Sequence, residues 1–275
     1  KIQHPTRGLI SFDTFSFQDD CVTHFNDNRF NVILKSRQLG LSTLVAAYAL
    51  WMGIFQRDKN ILVIATKLSV AQNFIRKVKV MLRSLPPWLV LPEVTADNKQ
   101  TIEFSHGSVI KAIPTSDDAG RSEALSLLII DEAAFVKNFD TLWMGLYPTL
   151  STGGRAIVLS TPNGVGGQYH KLYTEAILGE NEFNSINLPW SVHPERDDEW
   201  FQRETRNMSK RQMPQVKPFS SQISLSGLEK IFENQESENL KIGIYGSGKI
   251  RFLLTSTSCL LTWLEVMQKI TLHAM

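Results

Sequence analysis

From residue 29 onward, hydrophobic positions gather in short unbroken runs, and longer mixed segments separate them. RFNVILK (29–35), NILVIAT (60–66), ALSLLIID (124–131) and RAIVLST (155–161) are short and rich in Val, Ile and Leu. Runs of that length and composition predict strands buried on both faces. LSTLVAAYALWMGIF (41–55) is too long for a strand, and its Ala and Leu content predicts a mostly buried helix. A second helix is expected from about Ser69, read as its N-cap, to the breaker Pro86-Pro87. A third is expected over 167–179, followed by a strand near 184–189. TIEFSHGSVIKAI (101–113) instead alternates on either side of His106-Gly107, the pattern of a hairpin.

Buried strands alternating with helices predict the α/β class: a mostly parallel sheet sandwiched by helices. Ligands of such sheets bind beyond the carboxyl ends of the strands, so the residues that close each run are where chemistry should be sought. Near residue 217 the pattern changes. Residues 218–275 hold five basic and five acidic residues and no Asp, with a Ser-, Glu- and Asn-rich first half and an apolar second half. The expected division is therefore one domain over 1–217 and a short C-terminal appendage of unknown structure over 218–275. FLLTSTSCLLTWLEVM (252–267) contains Glu265 and falls short of the roughly 20 residues that span a bilayer, so it reads as a core or interface element.

Composition narrows the picture only a little. The chain has 275 residues, 43% hydrophobic and 20% charged, enough for a sizeable core. A net charge of +2 makes any nucleic-acid surface a local one. Cys21 and Cys259 cannot form a disulfide framework, and no C-x-x-C or clustered His points to zinc; His106, His170 and His193 stay unassigned. The opening KIQHPTRGL has neither a starting Met nor a signal-peptide pattern, and reads as a fragment of a protein that is not secreted.

Three strand ends carry candidate chemistry. In NVILKSRQLGLSTLV (31–45) a strand feeds a turn and then a helix N-terminus, an arrangement whose backbone N–H groups and dipole bind phosphate. Against the pattern G-x-x-x-x-G-K-[ST], the closing Gly40 and the hydroxyl residue Ser42 are in place, with Thr43 as a nearby substitute. Leu41 stands where the lysine is usual, and Lys35 stands where the first glycine is usual. Lys35 could reach the same phosphates from the front of the loop, and Arg37 adds a second cation. A plain strand–turn–helix with solvated basic residues stays open on the loop alone. LLIIDEAAF (127–135) ends in Asp131-Glu132, where one acid could hold Mg²⁺ and the next activate water. Two acids suiting a helix dipole are the alternative. LSTPNG (159–164) could sense the terminal phosphate, or be a turn. Arg76, Lys79 and Arg83 form one basic helix face at i, i+3 and i+7, better read as solvated than as a DNA contact.

KSRQLGLST, LLIIDEAAF and LSTPNG, in this order and spacing, resemble the ATPase domain of the terminase large subunit, the DNA-packaging motor of tailed phages. The resemblance spans roughly residues 10–215, and S-R-Q-L-G is its most specific part. Some members of that family carry the lysine after the glycine and others at the front of the loop, as Lys35 stands here.

The resemblance implies a P-loop NTPase of the additional-strand type. It implies Lys35, Arg37 and Glu132 as catalytic, Arg37 as an arginine finger and Glu132 as the base. ATP would be bound by Gln18, reading adenine, and by Lys35, Ser36, Arg37, Gln38, Leu39, Gly40, Leu41, Ser42 and Thr43. Mg²⁺ would be held by Ser42 and Asp131, coupling to DNA movement would run through Ser160, Thr161 and Asn163, and Arg121 would lie near the nucleotide. The implied partners are double-stranded DNA, the portal and the small terminase subunit, in a ring homo-oligomer in the host cytoplasm, with no membrane. The family's nuclease domain needs a cluster of acids that 218–275 lacks, so no nuclease activity is expected. A helicase-like translocase would need a second lobe, for which 218–275 is too short. A non-hydrolysing assembly module is favoured by Leu41 and the unfamiliar tail, and opposed by the retention of Lys35, Asp131 and Glu132.

Overall fold

A computed structural model describes residues 1–4, 6–90, 92–116, 124–164, 166–206, 208, 240–245 and 249–254. The chain divides into two compact units, Lys1–Phe219 and Ser220–Met275. The first opens with a hairpin, β1 (Ile2–His4) and β2 (Gly8–Ile10), and then helix α1 (Ser16–Asp27). Strand β3 (Phe30–Lys35) leads into α2 (Leu41–Phe55), and β4 (Asn60–Ala65) into α3 (Leu68–Arg83). Three strands follow, β5 (Val94–Asp97), β6 (Thr101–Phe104) and β7 (Val109–Pro114). Then come β8 (Leu127–Asp131), a 3₁₀ turn (Ala133–Phe135), α4 (Phe139–Leu146), β9 (Arg155–Ser160), α5 (Gln168–Leu178), β10 (Phe183–Leu188) and α6 (Asp198–Thr205). In the second unit β11 (Leu240–Tyr245) and β12 (Lys249–Leu254) pair antiparallel.

Eight strands of the first unit form one sheet in the order β10-β3-β9-β8-β4-β7-β6-β5. Neighbours from β10 through β7 are parallel, and β6 and β5 join antiparallel. This is the expected α/β sheet of the P-loop class, and β9 is the additional strand, lying between the loop strand β3 and the acid-ending strand β8. Every residue of β3 and β8 is buried, which is why their sequences run mainly apolar without alternation, Asn31 and the terminal Lys35 and Asp131 being the exceptions. From β3 the chain crosses to β4 on one side and later reaches β10 on the other, so the sheet's switch point lies at the end of β3. Register brings the strand ends level: Leu34 faces Ser160, and Asp131 faces Leu159.

Helix α2 is buried nearly all round, with Leu44, Val45, Ala49, Met52 and Ile54 in the core. Gly53 permits this fit, since a Cβ there would stand 3.0 Å from Ile110 Cδ1. Each fully buried Leu or Ile contributes about 1.5–3 kcal/mol through burial, so this packing fixes where the N-terminus of α2 points.

Four features differ from expectation. Helix α3 starts at Leu68, with extended Lys67 in the N-cap place and no side-chain cap, so Ser69 lies inside the first turn and is not the cap. Helix α1 was hidden by its polar residues, although Phe17, Cys21 and Phe25 at i, i+4 and i+8 are its buried stripe. Strand β5 is a mostly exposed edge and carries no apolar run. The basic face of α3 is partly neutralised within the fold: Lys79 and Arg83 both pair with Asp97 at the end of β5, and Arg76 donates to Asn73. The expected hairpin is present, with Gly107 (φ +89°) in its turn between β6 and β7.

Among the described residues no helix is long and apolar enough to cross a membrane. Arg121, Cys259, most of the acidic stretch 231–240 and the apolar stretch beyond Leu254 lie outside the described residues.

Candidate functional site

The loop between β3 and α2 is shaped by two left-handed residues, Gln38 (φ +58°) and Gly40 (φ +74°). Gly40 also has no room for a side chain, because a Cβ would lie 2.8 Å from Gln18 Nε2. Its carbonyl accepts from Thr43 N (2.9 Å) and Leu44 N (3.0 Å), which starts α2 and leaves the loop's end at the helix N-terminus. Lys35 and Ser36 are buried, Arg37 and Gln38 are exposed, Leu39 and Leu41 are buried, and Ser42 and Thr43 are half-buried. Ser36 N donates to Leu188 O at 2.8 Å, tying the loop's first residue to β10.

Gln18 is fully buried behind this loop. Its Oε1 accepts from Phe15 N (3.2 Å), half of a capping box for α1, and its Nε2 donates to Leu39 O (3.0 Å). The amide expected to read adenine is bonded to the loop's own backbone.

Beyond the strand ends three predicted elements converge. Lys35 Nζ donates to Glu132 Oε1 at 2.9 Å, with the lysine side chain only 7% and the glutamate 33% exposed. Thr161 Oγ1 donates to Glu132 Oε2 at 3.1 Å. Ser160 Oγ accepts from Ala134 N (3.1 Å), and Asn163 Nδ2 donates to Ala134 O (3.0 Å). The 160–163 strand end is thus bound to the 132–134 corner at each of its three singled-out residues. Glu132 holds a left-handed backbone (φ +55°), a conformation that stores strain of about 1–3 kcal/mol in a residue other than glycine. Its own N–H donates to Asp131 Oδ1 at 3.0 Å.

Burial pushes the Asp131 carboxyl above its ordinary pKa; Lys35 opposes that shift, Glu132 adds to it, and the Ser42 hydroxyl and Lys77 oppose it further. Ser42 thus lies beside Asp131. A buried carboxylate and a hydroxyl are hard oxygen donors, a fit for Mg²⁺ carried in on nucleotide phosphates, which needs only one or two protein ligands.

Two residues of the site carried no motif. Lys77 of α3 is close enough to Asp131 and Lys35 to sense both charges; burial lowers its pKa, with Asp131 opposing and Lys35 adding. Its signal was present, since Phe74, Lys77 and Met81 at i, i+3 and i+7 put a lysine within the buried stripe of α3. Lys77 and Thr43 also line a cleft of about 310 Å³ between β1, α2 and α3. The other is Arg196, whose Nη1 and Nη2 donate to Arg37 O (3.0 Å) and Gln38 O (2.8 Å); no sequence pattern marks it.

A sequence model of the family described as terminase large subunit, T4likevirus-type, N-terminal, matches residues 32–218, more than half of the chain. The large terminase ATPase domain of Thermus phage P74-26 has a similar structure, with a TM-score of 0.61 at 19% identity over 75% of this chain and 93% of that one. The large terminase of another thermophilic bacteriophage, in complex with ATP-gamma-S, gives a TM-score of 0.58 at 14% identity over 73% of this chain and 51% of that one. For bacteriophage HK97 large terminase the TM-score is 0.57 at 15% identity, over 85% of this chain and 50% of that one. The chain thus spans about half the length of the latter two proteins. At these identities the structural likeness establishes the fold alone.

Proposed function

The chain belongs to the family of phage terminase large subunits, and from that premise we propose that its first unit is an ATP-hydrolysing motor domain that drives double-stranded DNA into procapsids. The observation that carries this reading is the single glutamate, Glu132, bonded at once to the loop lysine and to the 160–163 strand end. The large terminase of the thermophilic bacteriophage that was solved with ATP-gamma-S has also been seen with ADP, which supports the nucleotide assignment.

Phosphoryl transfer asks mainly for positioning and charge stabilisation. The loop N–H groups and the N-terminus of α2 receive the β- and γ-phosphates, and Lys35 leaves Glu132 to neutralise them. Arg37, exposed at the loop's tip, is free to approach the terminal phosphate as an arginine finger. Ser42 and Asp131 would hold Mg²⁺, which supplies charge neutralisation of the phosphates when bound. Glu132, released by Lys35, takes a proton from the attacking water, and Thr161 keeps its carboxylate oriented. Ser160, Thr161 and Asn163 pass the change at the 132–134 corner to DNA-gripping parts. Ring assembly, docking to the portal, handover from a small terminase subunit and action in the host cytoplasm complete the reading. No nuclease step is assigned to 218–275, which lacks Asp.

Steady-state phosphate release with Mg-ATP tests the reading, comparing the wild-type chain with Lys35→Ala. A loss of at least about tenfold, or about 1.4 kcal/mol of transition-state stabilisation, is expected. Equal and negligible rates in both proteins would overturn the motor and leave a nucleotide-binding assembly module.

A further inference from the structure

Three consecutive carbonyls of the phosphate loop are held by side chains from outside it. Arg37 O and Gln38 O accept from the two terminal nitrogens of Arg196, and Leu39 O accepts from Gln18. All peptide bonds described are trans, so each held carbonyl turns the N–H of the next residue the opposite way. The N–H groups of Gln38 and Leu39 thereby face away from Arg196, and that of Gly40 away from Gln18. Gln38 also sits in the left-handed region without being glycine, at a strain of about 1–3 kcal/mol that the paired hydrogen bonds from Arg196 offset.

Arg196 is itself well braced. Its guanidinium lies over the Trp200 ring at 4.4 Å, and Trp200 stacks on Trp190 at 6.0 Å. Asp197, the next residue, caps α6 by accepting from Trp200 N at 2.7 Å. His193 of the same segment packs on Phe15 at 4.6 Å, the residue whose N–H anchors Gln18. The two clamps are therefore joined around the loop. A lysine could not reproduce the contact, since only the guanidinium fork reaches two successive carbonyls at once.

We propose that Arg196 is a positioning residue of the phosphate site, keeping the loop's N–H groups shaped for a nucleoside triphosphate before it arrives. The inference rests on the nucleotide-binding reading above. Without the clamp the loop spends only part of its time in the competent shape, and apparent affinity falls by that fraction while the bound complex is unchanged. The effect belongs in KM and not in kcat.

The test compares wild type, Arg196→Ala and Arg196→Lys in steady-state Mg-ATP hydrolysis, with thermal melting as a check of folding. Arg196→Ala is expected to raise KM at least about tenfold with kcat within about threefold of wild type, and Arg196→Lys to fall between, having one carbonyl in reach. An unchanged KM in a normally melting Arg196→Ala protein overturns the proposal, as does a fall in kcat alone. Should the alanine variant fail to fold, Arg196→Lys decides: a rise in KM of about two- to fivefold supports the clamp, and wild-type KM overturns it. A wild-type chain that neither binds nor hydrolyses Mg-ATP removes the nucleotide reading itself, and the clamp's role with it. A hydrolysing wild type with an indifferent Arg196→Ala removes only the clamp.

Discussion

Replacing Glu132 by Gln should slow hydrolysis and at the same time tighten ATP binding. Lys35 Nζ lies 2.9 Å from Glu132 Oε1 in a pair whose lysine is almost fully buried. Phosphates that recruit Lys35 must first take it from that carboxylate, so the pair subtracts from ATP affinity. Glutamine keeps the shape and can still accept at Oε1, but it carries no charge. Charge-assisted hydrogen bonds contribute about 1.5–3 kcal/mol against about 0.5–1.5 for neutral ones. With Glu132 a third exposed, the low end of that difference applies, about 1 kcal/mol or about fivefold in Kd. Loss of the general base should meanwhile slow turnover by about 10²–10⁴.

The fold should tolerate the change. Asp131 stays close to Lys35, so the lysine is not left as an isolated buried charge. A destabilisation near 1 kcal/mol would move Tm by about 2–4 °C. Competition of ATP against a fluorescent ATP analogue, with Mg²⁺, gives the affinity, and phosphate release gives the rate. An affinity for ATP more than about twofold weaker than wild type, in a normally melting protein, would refute competition between Glu132 and the phosphates for Lys35. A rate within about tenfold of wild type would refute Glu132 as the base.

Two further outcomes are expected. Thr161→Val removes the hydroxyl on Glu132 Oε2 while keeping the shape of a buried residue; turnover should fall about tenfold with ATP Kd within about twofold, and an unchanged rate in phosphate release would refute the orienting role. His193 is held below its ordinary pKa of 6.5, first by burial, then by Arg196, with Glu195 opposing. The folded chain therefore resists protonating it, and the stability tied to neutral His193 is whole above pH 6.5 and declines as pH falls through the lowered folded value. Melting curves should thus drop more steeply toward pH 5 in wild type than in His193→Gln, and parallel curves would refute the linkage.

The sheet was legible because parallel strands buried on both faces must be mainly apolar, as β3, β4, β8 and β9 are apart from Asn31 and the polar residues at their ends. What escaped was whatever mixes polar and apolar residues at a scale the runs do not show. In α1 the buried Phe17, Cys21 and Phe25 are diluted by Gln, Asp and Thr, and β5 is an exposed edge. For the site, the strand ends named Lys35, Asp131 and Glu132, but not the bond between Lys35 and Glu132. Two residues 97 apart meet at 2.9 Å only because β9 places the ends of β3 and β8 at a fixed spacing on the same edge. Gln18 was legible as a polar residue upstream of the loop, yet nothing local tells an amide that reads a base from one that holds Leu39 O. Arg196 lies still further from inference. Its two acceptors are backbone carbonyls 159 and 158 residues away, and a carbonyl leaves no mark in a sequence.

The pattern of bonds around Glu132 also bears on how hydrolysis is transmitted. If the 160–163 strand end sensed the terminal phosphate directly, the Thr161 hydroxyl would be expected to stand free for it. In the resting site that hydroxyl is engaged by Glu132 Oε2, and the other two residues of the strand end grip Ala134. On the proposed reading, phosphate would therefore act on this strand end through Lys35 and Glu132, in that order. The carboxylate proposed to activate water is bonded to the loop lysine and to the strand end, and on that reading it would be the joint through which they influence each other. The joint is under tension already, since Glu132 holds a left-handed backbone that its partners maintain. Drawing Lys35 away would remove one of the contacts that hold the strained residue, so on the proposed reading nucleotide binding would both free the base and loosen the corner that Ser160, Thr161 and Asn163 grip.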